Sequence, residues 1–237
     1  MSMKKLIFML IFPLFLFFGL LSCSTKIESV VRVGGSANVS LQASLEPRTL
    51  ALLKSLMGFM GEASDAPVLN GEAISQSMAS APGISSVLLR NTNSSALEGT
   101  IAISHVGNFL SSEEGKFITY SEESGITSIV FVLDRDSAPL LISKLSAQVE
   151  EYLSALMAPI VSGESLNPQE YLNLVALIYS RPLADEIAAS HILASIDFPR
   201  PLIEVQGGTF TGRRAEFEIP LLDILVLEKP LRYELKW

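Results

Sequence analysis

The chain of 237 residues has one cysteine, one tryptophan and two histidines. A single thiol excludes an internal disulfide. The histidines, His105 and His191, have no His, Cys or carboxylate at metal-ligand spacing, so the sequence offers no zinc or iron site. There is no G-x-S-x-G elbow, no S-x-x-K motif with its usual partners, no P-loop and no dinucleotide fingerprint. No cofactor and no catalytic group are expected, and the chain reads as non-enzymatic. Basic charge is also short, with 17 Lys and Arg against 25 Asp and Glu and a net charge of −8. Such a surface repels phosphate backbones, so nucleic acid is not an expected partner.

Although 49% of the residues are hydrophobic, the apolar excess is uneven. Residues 6–21 are almost purely aliphatic and aromatic, and no later stretch reaches the ~18–20 apolar residues that span a bilayer as a helix. Lys4-Lys5 before this run gives the layout of a secretory signal peptide. Leu20-Leu21-Ser22-Cys23 follows, and it resembles the lipobox of bacterial lipoproteins. That resemblance implies cleavage between Ser22 and Cys23, with lipidation of the Cys23 thiol. Residues 1–22 are then the signal peptide, and 23–29 are the acylated cysteine and a short tether. Several acyl chains give stable membrane attachment where one gives only marginal binding. Ser24, in place of Asp, favours the outer over the inner membrane by the sorting rule of enteric bacteria. The mature chain would carry 15 basic and 25 acidic residues, a net charge of −10.

Residues 30–237 read as an α+β domain, with antiparallel sheets and helices packed on one side. A degenerate internal repeat divides it at about 30–123 and 124–237. Val39–Pro47 overlays Phe131–Pro139 without a gap, each a strand followed by a capping residue (Ser44 or Asp136) and Pro three places on. Apolar residues then recur at helical spacing, at Leu50, Leu53, Met57 and Met60, and at Leu141, Leu145, Val149, Tyr152 and Leu156. Further on, Gly83–Val87 matches Pro201–Val205, and Gly99, Ile103, Phe109 and Tyr120 match Gly212, Ile219, Ile224 and Tyr233. The second copy inserts residues 168–180, a helix capped by Asn167.

Alternation predicts strands with one buried and one wet face at Ala37–Ala43 and Leu231–Trp237, while Ile126–Leu133 is apolar on both phases and predicts a central strand. The ending in Trp237 resembles the carboxyl signal of outer-membrane β-barrels, but the helical segments favour a final strand packed on the core. His105 and His191 read as strand-end residues, Gly34-Gly35 and Gly207-Gly208 as turns, and Arg213-Arg214 as ordinary surface charges. Glu113-Glu114 and Glu122-Glu123 bracket a hairpin edge.

The function expected is that of a membrane-anchored envelope lipoprotein that binds a protein partner or organises the envelope. The alternative is a carrier of lipid or another apolar ligand, with a pocket between helices and sheet; a hydrolase is a distant third.

Overall fold

A computed structural model describes residues 24–59, 67–79, 82–112, 118–139, 157 and 163–237. The signal segment, Cys23, Met60, Glu113-Glu114 and the helical run Leu141–Leu156 lie outside the described residues.

The fold is α+β. The described strands form two sheets, neither closed into a barrel. In chain order the first strands are β1 (Ser24–Val31), β2 (Ala37–Ser44), β3 (Ile84–Asn93), β4 (Ala96–Ile103), β5 (Ile118–Glu123) and β6 (Ile126–Leu133). They are followed by β7 (His191–Asp197), β8 (Glu204–Gln206), β9 (Thr209–Thr211), β10 (Arg214–Pro220) and β11 (Leu231–Lys236). The larger sheet has the order β3-β4-β2-β1-β7-β10-β9 and the smaller β5-β6-β11-β8. Each sheet takes strands from both sides of residue 123, and the β5–β6 hairpin crosses that point. Neighbours are antiparallel except β1 and β7, which run parallel from Ser24 beside His191 to Val30 beside Asp197.

Strand β1 corrects the sequence reading, which took residues up to 29 as tether. It lies between β2 and β7 in the larger sheet, paired along its length. Its alternation is weak because Thr25 and Ser29 share the inward phase with Ile27 and Val31, while Lys26 and Glu28 point to water. The expected alternation of β2 is plain, with Ala37, Val39, Leu41 and Ala43 all buried. Between β1 and β2 the chain reverses through Gly34 and Gly35, at φ +91° and +81°, where a side chain would be strained. At Gly99 a Cβ would overlap the Leu88 carbonyl, so glycine allows β3 and β4 to approach.

The described helices are α1 (Pro47–Phe59), α2 (Gly71–Met78), α3 (Val106–Ser112), α4 (Pro168–Ile178), α5 (Arg181–Ala189) and α6 (Leu221–Val226). Asn167 caps α4 as expected, in a reciprocal box with Glu170. Helices α4, α5 and α6 contact one another, and α1 packs on α5. They join the end of the larger sheet where β2 and β10 finish and β7 starts. Helix α2 instead covers β3, where the Ser75 hydroxyl accepts from the Leu89 amide at 2.9 Å and donates to the Gly71 carbonyl at 2.8 Å. This edge is thereby closed to another strand.

Two parts of the repeat alignment fare differently. Phe109 and Ile224 both lie in short helices that follow a strand, and Tyr120 and Tyr233 lie in the strands flanking β6. Gly83–Val87 leads into the ten-residue β3, whereas Pro201–Ile203 is loop ahead of the short β8. The turn after β6 is held by Asp134 and not by the expected cap Asp136: the Asp134 carboxylate accepts from the Ser137 amide at 2.8 Å and its hydroxyl at 2.6 Å. These bonds hold the Asp134 carboxyl below the usual carboxylate range. Arg135 then reaches the carbonyls of Glu164, Val226 and Leu227 at 2.7, 3.0 and 2.9 Å. It thus places a cation at the carboxyl end of α6.

Candidate apolar ligand site

The inward faces of the two sheets do not close on each other completely. Between them lies a cavity of about 270 Å³. From the larger sheet it is lined by Ile27 and Val31 of β1, Val39 of β2, Ile192 and Ile196 of β7, and Phe217 and Ile219 of β10. From the smaller sheet come Ile129 and Phe131 of β6 and Leu231, Tyr233 and Leu235 of β11. Val106 and Phe109 of α3 and Ile224 of α6 complete the wall. Each strand contributes alternate residues because successive side chains point to opposite faces.

Among the lining residues only Ser29 and Tyr233 carry a polar atom on the side chain. Burial, with the nearby Asp223 carboxylate, pushes the Tyr233 phenol up to about 12, so it stays neutral. Burial also raises the carboxyl of Asp223 above its ordinary value. An apolar cavity as small as ~150 Å³ stays dry and accepts an apolar guest, and small-molecule sites run to ~300–1,000 Å³. Water gains few hydrogen bonds in this space, so it suits a hydrocarbon chain. The site contains no nucleophile–base pair among its described residues.

The alternative reading of the sequence, a carrier, puts a pocket between helices and sheet; the observed one is placed differently. It lies between the sheets because both present apolar inner faces, and helices α3 and α6 contribute only at its margin. No sequence signal could have placed it, since a strand residue facing a void and one facing a packed neighbour follow the same alternation.

The expected polar residues lie elsewhere. His105 caps α3, its Nδ1 accepting from the Asn108 amide at 3.2 Å. His191 starts β7, with Nδ1 2.8 Å from the Ala189 carbonyl and Nε2 3.7 Å from Glu218. Neither histidine lines the apolar cavity. Arg213 is exposed, while Arg214 pairs with Asp197 at 2.9 Å and Glu216 at 3.1 Å. Glu122 and Glu123 lie on β5, at the edge of the smaller sheet. Trp237 is buried against Phe198, ring centroids 4.5 Å apart. Among the described residues no three His, Cys, Asp or Glu gather as metal ligands, and no helix is long and apolar enough to cross a membrane.

No protein-family model matches the chain, and no curated protein matches it. Among solved structures it is similar to the folded domain of the Mycobacterium tuberculosis LppM protein, at 8% identity and a TM-score of 0.41, over 90% of this chain and 87% of that one.

Proposed function

We propose that this chain is a non-enzymatic lipoprotein of the bacterial envelope that holds an apolar ligand, an acyl chain, between its two sheets. The observation that carries the reading is the apolar cavity of about 270 Å³. Its walls come from both sheets, so a bound chain would be sheltered along its length. The anchored location rests on the Lys4-Lys5, apolar-run and Cys23 pattern of the amino terminus. Outer-membrane placement rests on Ser24 alone.

Purification of the protein from its own membrane, followed by solvent extraction and mass spectrometry, tests the ligand. A recurrent single-chain lipid in stoichiometric amount is expected. A lipid-free protein that also fails to bind an environment-sensitive apolar dye would sink the carrier reading, and a stoichiometric protein in its place would favour partner binding. Anchoring has a separate test: Cys23→Ala should abolish acyl labelling and release the protein from the membrane fraction.

A further inference from the structure

The apolar cavity has a polar neighbour. A second cavity of about 310 Å³ has Val31 and Val106 in common with it among the lining residues, at the end of β1 remote from Ser24. Arg32, His105, Tyr120, Glu122 and Arg200 bring polar groups to this second space. Phe198 belongs to the wall of the first cavity and Trp237 to that of the second, so their ring pair marks the boundary.

The charge at this rim runs against that of the chain. Arg32 and Arg200 form no ion pair with a described residue, whereas Arg214, Arg232 and Lys236 are each held by carboxylates. An adjoining pocket holds Arg32 together with Arg213, a third such cation, and with Asp197, whose carboxylate is engaged by Arg214. Arg200 is fixed in place by its Nη1, which donates to the Gly125 carbonyl at 2.8 Å. The carboxylate among the lining residues of the second cavity is Glu122. Two guanidinium groups against one carboxylate leave a positive spot on a body of net negative charge. Guanidinium groups bind carboxylate and phosphate oxygens through directed, charge-assisted hydrogen bonds.

We infer that the ligand is an anionic single-chain amphiphile, its chain between the sheets and its headgroup against Arg32 and Arg200. This rests on the carrier reading and adds the class of ligand to it.

The test uses chain-matched photoreactive probes on the full chain held in lipid nanodiscs: dodecanol, dodecanoate and dodecyl phosphate. Both anions should label at about tenfold lower concentration than the alcohol, the ~1.4 kcal/mol equivalent of a charged hydrogen bond. The tighter of the two anions identifies the headgroup as carboxylate or phosphate. Arg32→Gln with Arg200→Gln should abolish that preference while leaving dodecanol labelling unchanged, which also reports that the fold is intact. If the double variant loses dodecanol as well, Arg32→Gln alone supplies the reading, since Arg32 is exposed. Equal labelling by acid and alcohol, unaffected by the Arg32 change, would overturn the headgroup assignment and leave the cavity reading standing. No labelling by any probe would overturn both.

Discussion

Phe217 of the larger sheet meets Tyr233 of the smaller sheet edge to face, with ring centroids 5.6 Å apart and planes at 87°. Phe131 lies beside Tyr233 on the neighbouring strand, 6.1 Å away and nearly parallel. The three rings bridge the sheets at the wall of the apolar cavity. Edge-to-face pairs gain ~0.5–1.5 kcal/mol beyond the area they bury.

Phe217→Ala should therefore destabilise the domain by about 3–5 kcal/mol, the usual range for a truncated core aromatic. Chemical denaturation measures this, and a change under about 1 kcal/mol would deny the bridge its structural role. The variant should still bind the apolar dye, because the void grows.

Ser75→Ala removes the hydroxyl that satisfies the Leu89 amide. A cost of about 1–2 kcal/mol is expected for the orphaned buried donor. Hydrogen exchange at Leu89 should accelerate more than at its neighbours in β3, and unchanged protection there would show that α2 does not seal the edge.

Arg135→Met keeps the length of the side chain and loses three donors to carbonyls at the end of α6 and before α4. Bonds from a charged donor are worth about 1.5–3 kcal/mol, and a loss of that size in unfolding free energy by chemical denaturation is expected. Arg135→Lys should recover only part of it, because one ammonium group cannot reach all three acceptors in the planar arrangement of a guanidinium.

The Asp134 carboxyl is held low, first by the Ser137 hydroxyl and then by backbone amides. A carboxyl lowered on folding contributes stability that is complete above its unfolded value of ~3.9 and disappears as pH falls through its lower folded value. Asp134→Asn should thus lower the urea midpoint at neutral pH and flatten its fall on the acid side. Parallel pH curves for variant and parent would refute this.

Much of the framework could be read in the residues. The alternation of β2, the apolar two-phase run of β6 and the Asn167 box each reflect local physics, where burial or a cap imposes its own spacing. Other features depend on partners remote in sequence. Strand β1 looked like a tether because Thr25 and Ser29 dilute its apolar phase, and its neighbour β7 begins with His191, far along the chain. Asp134 and Asp136 are equally suited to cap a helix by type, and only the turn geometry selects the first. The role of Arg135 is not legible in the sequence, because nothing local announces the carbonyls it meets.

Strand β1 spans roughly 23 Å at the usual strand rise, from Ser24 to Val31. A lipid on Cys23 would be joined directly to the first residue of a strand paired on both sides, with no free residue between anchor and sheet. The Arg32 rim lies at the opposite end of that strand from Ser24. Inserting residues between Cys23 and Ser24 would restore slack there without touching the pairing of β1 with β2 and β7.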